Sequence, residues 1–222
     1  MRASESLPIV FSQPMAIVGG GTVDPGLLHR LAERGVALVG ADGGGDVIGA
    51  AGLAPAAIIG DLDSLADRAH WEGRTQVLHV PEQITTDFEK AIYSTEAPVT
   101  IALGMTGKRF DHTMAALHVV LRYARARRII LVDEHDIALG VSGSLRFTAE
   151  KGERVSMHPL EPVSFTHTEG LLYPLDGLTL AAGVLTGVSN TALGGPVVVE
   201  PATDGVWLLI LDKGRLWDLM AL

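Results

Sequence analysis

The sequence predicts an α/β protein in which a parallel sheet covered by helices is followed by a small all-β domain. In the first half, short apolar runs of strand length alternate with helix-length segments, which is typical of a sheet buried on both faces. After about residue 138, the segments become short, rich in Val, Leu and Thr, and separated by Gly, Pro and Asp. A chain of 222 residues has room for both parts, which we place at 1–138 and 139–222.

The predicted elements of the first half follow one another without long gaps. Met15–Val18 reads as a strand that runs into three glycines, and Asp24-Pro25 then opens a helix that ends near Gly35. Further helices are expected after Gly45, from about 86 to 93 and from about 110 to 125. The remaining strands are predicted at 36–39, 56–59, 76–80, 99–103 and 128–132. This order indicates a Rossmann-like sheet, in which ligands bind at the carboxyl ends of the strands.

The second half contains strand-like segments and no amphipathic stretch of helical length. We predict strands at 144–148, 154–158, 164–168, 178–180, 196–200 and 205–211. Turn residues separate them at short intervals, which favours a small β-sandwich. The connection between the two domains is expected near residues 136–140.

Composition and charge exclude several classes of function. Hydrophobic residues make up 47% of the chain, as in ordinary globular proteins. A formal net charge of −9 argues against nucleic-acid and membrane partners, although a bound divalent cation would still allow a phosphate ligand. The absence of cysteine excludes disulfides, thiolate catalysis and the usual structural zinc sites. Residues 1–13 are too short and polar for a signal peptide or membrane span, so we expect a cytoplasmic protein.

Acidic residues follow two neighbouring strands of the predicted sheet. Asp61 and Asp63 come directly after the apolar run 57–60, and alternate side chains of a strand point to the same face. Asp42 follows the preceding strand. Carboxylates gathered at one sheet edge predict a cation site, while the alternative is that Asp61 and Asp63 merely cap a loop or the next helix.

A further acid lies at the start of the helix near residue 86. Thr86 and Glu89 have the spacing of a capping box, which explains that pair without any functional role. Capping explains Asp87 less well. Asp87 also follows a predicted strand, so it is a candidate to join the other acids around one metal ion.

Two glycine-containing loops are candidates for binding phosphate. The glycines at 19–21 lie between a strand and a helix, where backbone N–H groups can approach phosphate, although a plain tight turn would need the same residues. The second loop, 104–112, contains Lys108 and Arg109, a point charge and a fork-shaped donor. An alternative role for Asp111 in this loop is to cap the following helix, and His112 stands out among the eight histidines because of these neighbours.

Taken in order, the segments 41–44, 60–64, 86–90, 107–112 and 189–190 resemble the signature motifs of the thiamine pyrophosphokinase family. The match extends over nearly the whole chain. The resemblance implies an α/β nucleotide-binding domain, a C-terminal β-sandwich and a homodimer with active sites formed between subunits. It also implies Mg²⁺-dependent transfer of the β,γ-diphosphate of ATP to the hydroxyl of thiamine, which yields thiamine diphosphate and AMP.

The same resemblance implies roles for individual residues. Mg²⁺ would be bound by Asp42, Asp61, Asp63 and Asp87, and the last three would act in catalysis together with Arg109. Either Asp63 or Asp87 would accept the proton of the alcohol. The residues expected to bind ATP or thiamine are Asp42, Gly43, Gly44, Ser64, Thr86, Lys108, Asp111, His112, Tyr173, Ser189 and Asn190.

Three positions depart from the family pattern. Ile84 stands where the family commonly has an aspartate, Gly45-Asp46 replaces Ala-Asn, and Tyr173 replaces the usual Trp that would stack on thiamine. These departures leave room for a pyrophosphokinase acting on another alcohol, such as a pterin. A metal-dependent nucleotide phosphohydrolase and a non-catalytic binding protein are further alternatives.

Overall fold

The computed structural model describes residues 7–222, in two compact units that meet in sequence between Val119 and Val120. The expectation for residues 1–13 falls partly on residues 1–6, which lie outside the described part. Within residues 7–222, every helix is too short or too polar to span a bilayer.

The first unit contains strands and helices in alternation, as predicted. Its strands are β1 (Ile9–Val10), β2 (Met15–Val18), β3 (Ala37–Ala41), β4 (Ala57–Gly60), β5 (Gln76–His79), β6 (Thr95–Glu96) and β7 (Thr100–Leu103). Its helices are α1 (Pro25–Glu33), α2 (Gly44–Ala50), α3 (Arg68–Glu72), α4 (Asp87–Tyr93) and α5 (Phe110–Tyr123), the last of which extends beyond Val119.

The main sheet of this unit is parallel, which confirms the α/β prediction. Its strands lie in the order β7-β2-β3-β4-β5, and each neighbouring pair is parallel. Every residue of β2, β3, β4 and β7 is buried, and all of them except Thr100 are apolar, as is typical of strands covered on both faces. The chain passes from β2 to β3 on one side, whereas β7 lies on the other side of β2. A ligand crevice is therefore expected at the carboxyl ends of β2 and β7.

Local sequence sets where the helices begin. Asp24 caps α1 by accepting a hydrogen bond from the Gly26 N–H at 2.9 Å. Helix α2 begins against the end of β2, where a Cβ on Gly44 would lie only 1.7 Å from the Val18 carbonyl oxygen. Glycine is required at this position because no side chain fits between the two backbones. The close approach brings the start of α2 to the edge where the acids lie.

The second unit is mainly antiparallel β-structure. Its strands are β8 (Ile129–Val132), β9 (Asp136–Val141), β10 (Leu145–Ala149), β11 (Arg154–Pro159), β12 (Val163–Glu169), β13 (Thr179–Leu180), β14 (Gly187–Thr191), β15 (Gly195–Pro201) and β16 (Trp207–Asp212). The orders β14-β11-β16-β9-β8 and β10-β15-β12-β13 define two groups of hydrogen-bonded strands. The buried rings of Phe165 in one group and Trp207 in the other are in edge contact, with centroids 6.0 Å apart.

The second unit differs from the prediction in three places. The segment expected to connect the domains forms strand β9, which pairs with β16 and β8. Strand β14 was not predicted, because its Gly, Ser and Asn residues have low β-propensity. Residues Leu216–Ala221 form a short helix, α6, whose Leu216 and Leu219 are buried. Six residues are too few to show a helical period in the sequence, so the expectation of no helix is wrong here.

Candidate functional site

A cavity of about 490 Å³ opens at the carboxyl ends of the parallel strands of the first unit. It lies where the crevice between β2 and β7 is expected. The residues predicted for the site that line this cavity are Asp42, Gly43, Asp61, Ser64, Thr86, Asp87, Lys108, Arg109 and His112. Three predicted residues of this unit, Gly44, Asp63 and Asp111, are not part of its lining.

Three of the predicted acids come together at this edge. Asp42, Asp61 and Asp63 each place a carboxylate oxygen within 4.8 Å of the other two. Asp42 follows β3 and the other two follow β4, and these parallel strands pair directly, with Ala41 opposite Ile59. The pairing of the two strands therefore sets the spacing of the acids.

The turn after β4, rather than the strand itself, brings Asp61 and Asp63 together. β4 ends at Gly60, and Leu62 has a left-handed φ of 64°. The Asp63 N–H donates to Asp61 Oδ1 at 3.3 Å, as in a side-chain-closed turn. The expectation that strand alternation aligns the two side chains is wrong, although the carboxylates do meet.

Asp42 is the most constrained member of this group. Its side chain is buried, and its backbone is left-handed with φ of 50°. Oδ2 accepts a hydrogen bond from the Ser64 N–H at 3.2 Å, whereas Oδ1 has no hydrogen-bond partner among residues 7–222. Burial raises the pKa of Asp42 above its usual value, and nearby Asp87 adds to the increase. A buried carboxylate oxygen without a partner is costly, so it is a natural ligand for a cation.

The donor set suits a hard divalent cation. Mg²⁺ prefers a few carboxylate oxygens and completes its coordination with water and phosphate oxygens. The clustered acids supply three such oxygens, one of them otherwise unpaired. The residues present are therefore compatible with the implied Mg²⁺.

The ammonium of Lys90 neutralises part of the negative charge of Asp61 and Asp87. The sequence alone did not reveal this role. The ammonium lies 3.2 Å from Asp61 Oδ2 and 3.0 Å from Asp87 Oδ1, and the side chain is only 1% exposed. Burial alone would lower the pKa of Lys90, but its bonds to Asp87 and Asp61 outweigh burial and raise it. The available signal was a lysine among apolar residues of α4, since buried lysines need an acidic partner.

Asp87 is positioned differently from the other three acids. Thr86 caps α4 by accepting a hydrogen bond from the Glu89 N–H at 3.3 Å, and this fixes the first turn of the helix. Oδ1 of Asp87 then accepts from both Lys90 and the Asp61 N–H. The predicted set of four acids is thus divided into a cluster of three and an ion pair.

The loop before α4 adds a second contact that the sequence did not reveal. Gln83 Nε2 donates to Asp61 Oδ2 at 2.8 Å, while Ile84 is 93% exposed. Glu82 holds this loop by accepting from the Ile84 N–H at 2.6 Å and the Tyr93 hydroxyl at 3.0 Å. Burial would raise the pKa of Glu82, but these bonds and those from Thr85 lower it to about 2.

The two glycine-containing loops pack against each other beside the acids. The Gly21 N–H donates to the Gly104 carbonyl oxygen at 3.1 Å, and a Cβ on Gly21 would lie 2.3 Å from that oxygen. Lys108 Nζ reaches the Gly20 carbonyl oxygen at 3.4 Å. Only glycine permits this approach, which forms one wall of the cavity.

Arg109 is held by a neighbour on its own loop. Its guanidinium binds Asp111 through two hydrogen bonds of 2.6 and 3.1 Å, and both side chains are exposed. This pairing raises the pKa of Arg109 and lowers that of Asp111. Asp111 therefore contacts Arg109 instead of lining the cavity.

The predicted thiamine-binding residues lie in the second unit. Tyr173 is 62% exposed, and Ser189 is exposed on a left-handed backbone with φ of 59°. Asn190, in contrast, is buried and bonds to the main chain of Tyr173.

Comparisons with known proteins agree with the fold and the motifs. Residues 28–132 match the family model described as thiamin pyrophosphokinase, catalytic domain. The chain is 25% identical over 174 residues to thiamin pyrophosphokinase 1 of Caenorhabditis elegans, covering 72% of this chain and 71% of that protein. It is 28% identical over 175 residues to thiamine pyrophosphokinase 1 of Oryza sativa, covering 71% and 66%.

Solved structures show the same fold. The thiamin pyrophosphokinase of Geobacillus thermodenitrificans is 25% identical, with a TM-score of 0.74 over 92% of this chain and 97% of that one. The Candida albicans thiamin pyrophosphokinase has a TM-score of 0.77 over 96% and 95%, at 16% identity, which shows the fold alone.

Fold and site together define an α/β protein with an acidic cluster and phosphate-loop candidates at one sheet edge. The family match, the curated relatives and the solved structures then agree on one group of proteins. Over residues 28–132, the chain is similar to the catalytic domain of the thiamine pyrophosphokinase family.

We predict that Lys90→Met lowers the free energy of unfolding by about 3–5 kcal/mol, because it leaves two carboxylates without their buried cation. Urea unfolding at neutral pH measures the change. Lys151→Met is the control, since Lys151 is exposed and its loss should change stability by less than about 0.5 kcal/mol. Equal stabilities of the two variants would show that Lys90 does not balance the acids.

We also predict that the stabilising effect of Glu82 depends on pH. Its pKa is lowered from 4.5 to about 2 in the folded chain, so the ionised form stabilises the fold above pH 4.5. This contribution is lost as pH falls from 4.5 toward 2. The difference in urea midpoint between wild type and Glu82→Gln should therefore shrink over this range. Glu96→Gln, at an exposed site, provides the control. A difference that stays constant with pH contradicts the assignment.

Proposed function

We propose that this chain is a Mg²⁺-dependent thiamine diphosphokinase, which transfers the β,γ-diphosphate of ATP to the hydroxyl of thiamine and releases AMP. The observation that carries the proposal is the buried, unpaired oxygen of Asp42 beside Asp61 and Asp63. Asp42 and Asp61 line the same cavity as the two glycine-containing loops, and Asp63 lies beside these two acids. The names of the relatives supply thiamine as the acceptor, and ATP follows from the family resemblance.

The acids would bind the metal ion, and the two loops would bind the phosphates of ATP. Asp42, Asp61 and Asp63 would hold Mg²⁺, which, when bound, neutralises charge on the phosphates as the leaving AMP departs. Backbone N–H groups of the two loops and Lys108 would bind the phosphates. Arg109 would add fork-shaped donors, and Asp111 keeps that guanidinium beside the cavity until phosphate competes for it.

A carboxylate must accept the proton of the attacking alcohol. The alcohol oxygen bonds to the β-phosphorus, the bond from that phosphorus to the AMP oxygen breaks, and the alcohol proton moves to the base. We assign this role to Asp63, whose side chain is exposed and whose carboxylate accepts only from the Ser64 hydroxyl among the described residues. Asp87 is less suitable because Lys90 and the Asp61 N–H already occupy its Oδ1.

We extend the proposal to the organisation of the protein. The position of β7 beside β2 supports a Rossmann-like catalytic domain over 1–138, and the Phe165–Trp207 contact supports a β-sandwich over 139–222. Tyr173 and Ser189 are proposed to contact thiamine. We also propose a homodimer with active sites between subunits and a cytoplasmic location, on the basis of the family resemblance and the sequence.

The named relatives favour neither a pterin pyrophosphokinase nor a nucleotide phosphohydrolase.

The test is the formation of AMP from ATP and Mg²⁺, with and without thiamine, and identification of the products by mass. We expect AMP and thiamine diphosphate in equal amounts, dependent on thiamine and abolished by a chelator. AMP formed without thiamine would indicate a hydrolase, and the absence of both products would reject the proposal.

We predict that Asp63→Asn lowers the turnover rate by about 100-fold or more, because it removes both a metal ligand and the proton acceptor. The control is Asp67→Asn, since Asp67 caps α3 and asparagine caps a helix equally well. This control should keep turnover within about twofold of wild type. Near-normal turnover of Asp63→Asn would remove Asp63 from the site.

A further inference from the structure

The segment 170–178, which we call the Tyr173 loop, connects β12 to β13 in the second unit. It carries the ring of Tyr173 on the surface, 62% exposed. Among residues 7–222 the phenol hydroxyl has no hydrogen-bond partner, so the hydrogen bonds that hold this residue are those of its main chain. The contacts of that main chain therefore decide the position from which the ring projects.

Asn190 bonds to both main-chain groups of Tyr173. Its Oδ1 accepts from the Tyr173 N–H at 3.1 Å, and its Nδ2 donates to the Tyr173 carbonyl oxygen at 2.6 Å. Oδ1 also accepts from the Thr191 N–H at 2.8 Å. An amide oxygen has two lone pairs, so both are used within the protein. Because Asn190 is only 4% exposed, little of its side chain is left for a ligand to contact.

The backbone of β14 explains why Ser189 and Asn190 face different surroundings. Ser189 has a left-handed φ of 59°, and its N–H donates to the buried Ser156 hydroxyl at 2.9 Å. The register of β11 against β14 shifts between Val155 and Met157 at this point. The irregularity leaves Ser189 exposed while Asn190 is turned into the protein. The two neighbouring residues therefore have separate roles.

Other contacts fix the ends of the Tyr173 loop but leave its centre to Asn190. At one end, the Leu172 N–H donates to the Thr191 carbonyl oxygen at 2.8 Å. At the other end, Thr168 Oγ1 accepts from the Leu175 N–H at 2.8 Å and donates to Asp176 at 2.8 Å. Between these ends, the main-chain hydrogen bonds of Tyr173 to described residues are both made by Asn190.

We propose that Asn190 is a positioning residue for the acceptor site: it holds the main chain of Tyr173 so that the ring is fixed for stacking, and it does not itself bind the acceptor. This inference rests on the proposed function. Fixing the ring in advance lowers the conformational entropy lost on binding, so affinity for an aromatic acceptor is higher than with a mobile ring. Ser189, which is exposed, is left as the residue of the pair that can face a ligand.

The first experiment needs no substrate. Hydrogen–deuterium exchange of the ligand-free protein is followed in peptides that cover the Tyr173 loop. We expect Asn190→Ala to speed exchange of this loop by about tenfold, because the Tyr173 N–H loses its acceptor. Unchanged exchange in Asn190→Ala would overturn the proposal, whatever the substrate of the enzyme.

The second experiment separates positioning from direct binding. Asn190→Ala should raise the KM for thiamine by about tenfold, with kcat and the KM for ATP within about twofold of wild type. In a Tyr173→Ala background, Asn190→Ala should cause no further increase, because its effect acts through the ring. Additive increases would show direct contact with the acceptor and overturn the proposal.

Ser142→Ala is the matched control, since the Ser142 hydroxyl also ties a loop of the second unit by donating to the Asp204 carbonyl oxygen at 3.0 Å. It should lower stability without changing the KM for thiamine. An equal rise in KM in this control would show that the rise in Asn190→Ala results from a general loss of stability, and it would contradict the positioning role. If wild type forms no thiamine diphosphate, the proposed function fails, while the exchange experiment still decides whether Asn190 holds Tyr173.

Discussion

Balance of negative charge at one sheet edge is the constraint on which the candidate site depends. Parallel strand pairing brings the acids after β3 and β4 together, and their repulsion must be compensated. Lys90 compensates for Asp61 and Asp87 from inside the protein, at 3.2 and 3.0 Å. Asp42 Oδ2 accepts from the Ser64 N–H, whereas Asp42 Oδ1 is unpaired among residues 7–222. The structure thus neutralises part of the charge and leaves the rest for a cation.

This arrangement requires close approach of backbones as well as charge. Gly44 lets α2 begin against β2, and Gly21 lets the two candidate phosphate loops meet beside the acids. The loop before α4 contributes in a similar way, because Glu82 fixes its backbone and Gln83 then reaches Asp61. Short segments at the carboxyl ends of neighbouring strands therefore provide the acids, the candidate phosphate loops, Lys90 and the residues that hold them in place.

Much of the fold was predictable because buried parallel strands are continuous apolar runs, and the acids at their ends stand out against them. Lys90 was harder to assign, since its burial and its two partners depend on how α4 packs. The turn at Leu62 and the left-handed Ser189 lie outside regular strand geometry, so alternation could not place Asp63 or Asn190. Strand β14 forms through pairing with β11, a tertiary effect that local propensity does not report.

Titration of the ligand-free protein with Mn²⁺, followed by the electron paramagnetic resonance signal of free Mn²⁺, tests this account most directly. Mn²⁺ is a suitable probe because carboxylate and water ligands suit both Mn²⁺ and Mg²⁺. We predict saturable binding in wild type and in Asp67→Asn, and loss of that binding in Asp42→Asn. Absence of binding in wild type, or equal binding in Asp42→Asn, would contradict a cation site built on the unpaired Asp42 oxygen.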